Sequence, residues 1–392
     1  MTEPTSCNTE EAALQFLRSP DLAQLILADM EALGCVAEDR ARLLTYLIAI
    51  SRKLPRPLSG LLPPGPSQPI LTDVMEQLTP EENVLRYTRM SAQELACMTE
   101  LKFNNQLIIV DQHADPDEAK AFLRALQTLH SPRQRSQVLR VKDSRSGAVA
   151  PQFVTTEGPV AYLTADQRMS CSFVIPLDDW PDQAQRVLES QRARRLFPPH
   201  DLAKRCLAIG VKHRRAQRQL QAVPVCIPYA GRLSFPSRGP RVCQLQESFL
   251  GLIEASAVLH QHQRKWGATE YGKAYILADL QDYRLAYDLA SELLADSLHE
   301  LSRGARKLLA RIREGMVDSA CFYRKELHDL TGLDTPTLKD YLQELVELEY
   351  IGGGFEAKAY RIRYRLLGDR EEAAPAPLVS PEELERQLTC LV

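Results

Sequence analysis

The chain has no Cys-x-x-Cys pair: its nine cysteines (Cys7, Cys35, Cys97, Cys171, Cys206, Cys226, Cys243, Cys321, Cys390) are scattered, and no His/Cys cluster has zinc spacing. A structural metal is therefore not expected. No apolar run approaches the roughly 18 residues needed to span a bilayer, and the opening MTEPTSCNTEEAALQF is polar and acidic, with no apolar leader core. These absences predict a cytoplasmic protein with reduced thiols and no membrane partner. An excess of one charge is missing too, since 48 Lys and Arg stand against 51 Asp and Glu. Any affinity for nucleic acid must then come from a local basic patch. No Ser/His/Asp or Cys/His catalytic set can be assembled, and no internal repeat is evident. His260 and His262 stand two apart, whereas helical metal ligands stand three or four apart.

What is present is an ordinary globular composition, 44% hydrophobic and 25% charged over 392 residues, long enough for two or three domains. EEAALQFLRSPDLAQLILADMEALG and EDRARLLTYLIAISRKL repeat apolar residues three and four apart and read as helices. PLSGLLPPGPSQPILTDVMEQL then has the layout strand, proline-rich loop, helix. Strand-like VLRYTRM and QLIIVDQ, helix-like DEAKAFLRALQTL and the apolar strand PVAYLTA continue an α/β alternation. Before PVAYLTA, two strands flank a polar loop at 143–147, predicting an inserted hairpin.

From about Trp180 to Arg218 the chain is strongly basic and helical, and 242–315 is expected to be all helical. The stretch 305–367 reads as helix, the turn TGL, a second helix TPTLKDYLQELVELEY and a glycine-led hairpin, the plan of a winged helix-turn-helix. The resulting division is an N-terminal helical region (9–53), an α/β core (54–190), a basic helical region (191–304), the winged unit (305–367) and a linker with a short amphipathic tail (368–392).

Several stretches in order, LTYLIAISRKLPRPLS, VLRYTRMSAQEL, LRALQT, VTTEGPVAYLTA, IPYAGRLSF, LHQHQR and LQELVELEYI, give the chain a resemblance. From Leu17 to Leu367 it resembles the helicase-like AAA+ portion of primase-helicase proteins carried by phages and plasmids. The zinc finger and primase fold of that family's larger members do not fit here. The resemblance implies a P-loop α/β core with helical flanking regions and a C-terminal winged helix. It also implies a nucleotide site at the proline-rich loop, with remnants Ser67, Gln68 and Pro69.

Such a loop needs consecutive backbone N–H groups, a lysine for the terminal phosphates and a hydroxyl for magnesium. Gln68 falls at the lysine position and Pro69 at the hydroxyl position, while Pro64, Pro66 and Pro69 remove N–H donors. LIIVDQ keeps Asp111 but has Gln112 where a water-activating acid belongs, Ser170 falls at the arginine-finger position, and Thr164 remains at the end of the sensor strand. The resemblance thus points to a motor that does not hydrolyse ATP and needs no cofactor. Apart from the resemblance, PPGPSQP also reads as a plain connector between packed elements.

DNA is the expected partner, contacted through its backbone, together with other replication or defence proteins or further copies of the chain. Candidate contacts are Arg140, Lys142 and Arg145 on the inserted hairpin, and Arg214, Arg215 and Arg218 in the basic helix. In the winged unit they are Thr337, Lys339 and Gln343 on the second helix and Lys358, Arg361, Arg363 and Arg365 on the wing. The basic helix could equally cover apolar surface or pair with acidic neighbours, and the winged unit could dock protein. Two rival readings are a DNA-dependent ATPase subunit active only with a partner chain and a winged-helix transcription regulator.

Overall fold

DRARLLTYLIAI carries apolar side chains all round, so a helix formed from it has no face suited to water and belongs inside. It forms α3 (Asp39–Ile50), which is buried from Ala41 onward. The computed structural model describes residues 6–36, 38–65, 67–87, 104–110, 135–142, 149–156, 159–165, 171–177, 181–235, 242–298, 301, 303–315, 321–333, 335–356, 361–367 and 378–389. The chain divides into two compact units. The first is Met1–Ser234, Cys243–Ser291 and Leu378–Val392, and the second is Phe235–Val242 with Glu292–Pro377.

In the first unit, α1 (Ser6–Arg18), α2 (Leu22–Ala32) and α3 precede strand β1 (Ser59–Leu61) and helix α4 (Ser67–Leu78). Then come β2 (Val84–Tyr87), β3 (Leu107–Val110), the hairpin β4 (Arg135–Lys142) and β5 (Val149–Thr156), β6 (Ala161–Thr164) and β7 (Phe173–Val174). Five of these strands make one sheet in the order β2-β3-β6-β1-β7. Every pairing in it is parallel, for example Val84 opposite Leu107 and Ser59 opposite Tyr162. The sequences LIIV and AYLT are apolar without alternation because both faces of a parallel sheet are covered, and both strands are buried throughout. Hydrogen bonds continue the pairing past the carboxyl ends, from Leu62 N–H to Thr164 O (2.8 Å), Ala165 N–H to Val110 O (3.2 Å) and Ile175 N–H to Leu61 O (2.8 Å).

Helices α5 (Pro181–Arg194) and α6 (Pro199–Gln219) follow, then β8 (Val225–Cys226) and α7 (Val242–Leu259). The expected all-helical stretch is interrupted by β9 (Trp266–Ala268) and β10 (Ala274–Leu277), which join β8 in the order β8-β10-β9. The turn between them closes through Gly272, at φ +73°, a conformation glycine adopts without steric cost. The helical period on both sides had masked these short alternating runs. Trp266 thus opens the strand β9. Its indole N–H donates to Gln261 O at 3.1 Å. Helix α8 (Leu280–Leu298) belongs to this unit through Ser291, and α12 (Pro381–Thr389) packs Leu384 into it.

The second unit contains α9 (Arg303–Gly315), β11 (Phe322–Tyr323), α10 (Arg324–Thr331), α11 (Thr335–Glu347), β12 (Ile351–Glu356) and β13 (Arg361–Leu366). Its strands form an antiparallel sheet ordered β11-β13-β12. Helix α10 ends at Gly332, at φ +68°, whose N–H returns to His328 O at 2.8 Å, a left-handed cap that turns the chain into α11. Leu308, Ile312, Phe322, Leu327, Leu338 and Leu342 fill a core of its own. The three-residue turn, the second helix and the hairpin lie where the sequence pattern placed them.

Candidate functional site

Ligands of open parallel sheets bind beyond the carboxyl ends of the strands, where loops and helix N-termini converge. Here β1 lies inside the sheet between β6 and β7 and is followed by a short loop and α4. This is the position a phosphate loop would take. Helix α4 begins at Ser67, so Ser67, Gln68 and Pro69 occupy its first turn rather than a free loop. Pro69 is tolerated because first-turn N–H groups have no helical acceptor. It also leaves that turn without the donor an anion would use. Ser67 is 6% exposed, Gln68 half-buried and Pro69 exposed. Gln68 N–H is directed back to Gly65 O at 3.3 Å, and the Thr72 hydroxyl donates to Pro69 O at 2.9 Å. No cation stands among these three side chains.

Thr164 ends β6 and is 1% exposed. Asp111, Gln112, Ser170 and Arg145 lie outside the described residues, as does Lys358. Arg140 and Lys142 are two apart on β4, opposite Pro151 and Val149, so they share one face of that hairpin.

The cations of the basic helix α6 meet partners within the fold. Arg218 forms two hydrogen bonds to the Glu82 carboxylate, at 2.7 and 2.8 Å. That contact holds the Glu82 carboxyl down at about 2. Arg214 donates to Gln77 O at 3.1 Å and stands 3.8 Å from Glu81. Arg215 is exposed and has no ion pair among the described residues. Two of the three candidate contacts on this helix are thus engaged with the first unit itself.

Beneath them runs a buried polar chain. His213 is fully buried, and burial keeps its imidazole below the usual histidine range and hence neutral. Its Nε2 lies 2.9 Å from Asp29 Oδ2 and its Nδ1 3.0 Å from the Tyr46 hydroxyl. Because a carboxylate only accepts, the proton belongs on Nε2, and Nδ1 accepts from Tyr46. Tyr46 in turn receives Gln217 Nε2 at 3.3 Å, and Gln217 Oε1 accepts from Arg52 at 2.8 Å. Burial lowers the Arg52 guanidinium to about 10. Burial alone would raise the Asp29 carboxyl, but hydrogen bonds from His213 and Lys212 bring it below its ordinary value. Nothing in the local sequence around Asp29, Tyr46 and His213 announces this chain, because its members come from three separated helices.

In the second unit, α11 buries Leu338, Leu342 and Leu345 and leaves Lys339, Asp340 and Gln343 exposed, with Thr337 half-buried. Gln343 Nε2 donates to Glu347 Oε1 at 2.8 Å, which occupies one of its donors. On β13, Arg361, Arg363 and Arg365 alternate along one face, opposite Glu356, Gly354 and Gly352. The side chains of Arg363 and Arg365 are exposed. A Cβ at Gly352 would lie 3.3 Å from Arg365 Nε, and one at Gly354 would meet nothing within 4 Å. The glycines therefore give these arginines a neighbouring strand with no side-chain bulk.

No family model matches the chain, and no curated protein is similar to it. Several solved structures do match it. One is a protein from Cytophaga hutchinsonii provisionally described as an ATPase, 13% identical, with 73% of this chain and 90% of that chain covered and a TM-score of 0.36. By its own topology, the first unit is a mixed α/β fold whose five-stranded parallel sheet fits a P-loop ATPase-like core.

Proposed function

We propose that this chain is a DNA-binding accessory protein built on a nucleotide-silent, helicase-like P-loop core with a C-terminal winged helix. It acts beside other replication or defence proteins. The observation that carries the DNA reading is the β13 face, where Arg363 and Arg365 are exposed beside Gly352 and Gly354. A phosphate backbone can lie against such a face without clashing with side chains from the adjacent strand. Lys339 and Thr337 on α11 flank the same reading with one cation and one hydroxyl. The silence of the core is argued from Gln68 and Pro69 in the first turn of α4, which offer a triphosphate neither a cation nor the full set of amide donors. Among the rival readings, the mixed surface of α11 favours protein docking more than base readout, because Asp340 is exposed on the same face and Gln343 is held by Glu347.

The test is titration of the purified chain with labelled single- and double-stranded DNA at two salt concentrations, alongside ATP with magnesium. DNA binding that weakens with salt, without ATP turnover, is the expected result. Magnesium-dependent turnover would restore the motor reading. Failure to bind either DNA form would leave a protein-docking scaffold.

A further inference from the structure

At the amino-terminal ends of β1 and β7, opposite the edge where the phosphate loop would lie, the first unit has an open-sided cavity of about 520 Å³. That volume lies within the range of small-molecule sites, about 300–1,000 Å³. Leu58, Val225, Ile227 and Leu250 give it apolar walls. Helix α7 forms one side through Gln244, Glu247, Gly251 and Glu254, which recur three and four apart and so share one stripe. Gly251 lets α7 approach closely: a Cβ there would lie 2.9 Å from Leu58 Cδ2.

Charge is unevenly distributed in this cavity. Glu247 is paired with Arg56 at 2.6 Å. Glu254, half-buried one stripe position beyond Gly251, accepts no hydrogen bond and forms no ion pair among the described residues. Burial pushes its carboxyl above the usual range, Arg56 only partly opposes this, and Glu247 adds to it. A half-buried carboxylate that no donor among the described residues reaches is costly unless a positive group comes to meet it.

We propose that this cavity is a binding site for a small organic cation, an amine, amidine or guanidine carried on an apolar body. The cationic end meets Glu254 and the body lies against Leu58, Val225, Ile227 and Leu250. The site is independent of the nucleotide-loop and DNA readings, since none of its lining residues belongs to either.

Benzamidine, benzamide and benzoate are close in shape and differ in charge, so they separate charge recognition from simple filling. In methyl-labelled full-length chain, benzamidine is expected to shift the resonances of Leu58, Val225, Ile227 and Leu250. Benzamide and benzoate should do so only weakly. Glu254→Gln keeps the side-chain shape and should weaken benzamidine by roughly tenfold or more, the scale of one hydrogen bond to a charged group. Arg56→Ala removes a competing cation and should tighten it, a change of sign that general damage to the fold would not produce. Ala230→Trp, which fills the cavity from its rim, should abolish the shifts. The proposal is overturned if benzamide binds as well as benzamidine, if the shifts fall elsewhere, or if Glu254→Gln leaves the affinity unchanged in a chain with an unaltered melting curve.

Discussion

Arg218 and Glu82 show how a residue read as a surface cation can serve the fold. The bidentate contact depresses the Glu82 carboxyl from 4.5 to about 2. A carboxyl whose pKa is lower in the folded chain contributes stability above its unfolded pKa and loses it as pH falls toward the folded one. Arg218→Ala should therefore lower the melting temperature at neutral pH, and the difference from the wild-type chain should shrink between about pH 5 and pH 2. Both groups are largely exposed, so the effect is modest, and a pH-independent difference would refute this account. Gln217 makes a stronger case because its partners are buried. Gln217→Leu would remove the acceptor of Arg52 Nη2 and the amide donor to the Tyr46 hydroxyl, leaving them only Ala49 O and His213 Nδ1, and a loss of about 2–3 kcal/mol in urea unfolding is expected. The sequence did show a cationic cluster between Arg192 and Arg218. It could not show which cations meet Glu81 and Glu82, more than a hundred residues earlier, because charge density along a chain carries no information on long-range pairing.

At the scale of elements, the second unit followed the sequence pattern most closely, since its signals are local. TGL places a left-handed glycine between two short helices, and alternation marks the hairpin. Packing within it is tight where α9 meets α11. A Cβ at Gly304 would lie 2.1 Å from Tyr341 Cζ, so Gly304→Ala should destabilise this unit by about 1–3 kcal/mol. Thermal melts should also show that Tyr341→Ala relieves part of that cost in the double variant, a coupling two independent sites would lack. On β13, the proposed DNA contact predicts that Arg363→Ala and Arg365→Ala each weaken binding to all DNA sequences alike and reduce the salt slope by about one. A loss confined to one sequence would instead mean base readout.

For the whole molecule, the two ends of the chain come back to the first unit. Tyr283 donates its hydroxyl to Val379 O at 2.5 Å, Arg284 pairs with Glu385, and Leu384 is fully buried. Ending the chain at Pro377 should thus lower the stability of the first unit by about 2–3 kcal/mol, seen as an earlier melting transition. An unchanged melt would mean that α12 contributes nothing there. The amphipathic tail was legible in the sequence, but its docking was not, because a short helix pattern does not say which apolar surface it meets. By itself the sequence determined the helical entry, the α/β alternation, the helix-turn-helix segment with its hairpin and the absence of a lysine at the loop, all of which follow from local period and residue chemistry. Only the tertiary structure decided the strand order that puts β1 inside the sheet, the capture of Arg214 and Arg218 by acidic partners, and the cavity beside Glu254. Each of these depends on residues far apart in the chain being brought together by burial, and no local pattern records that.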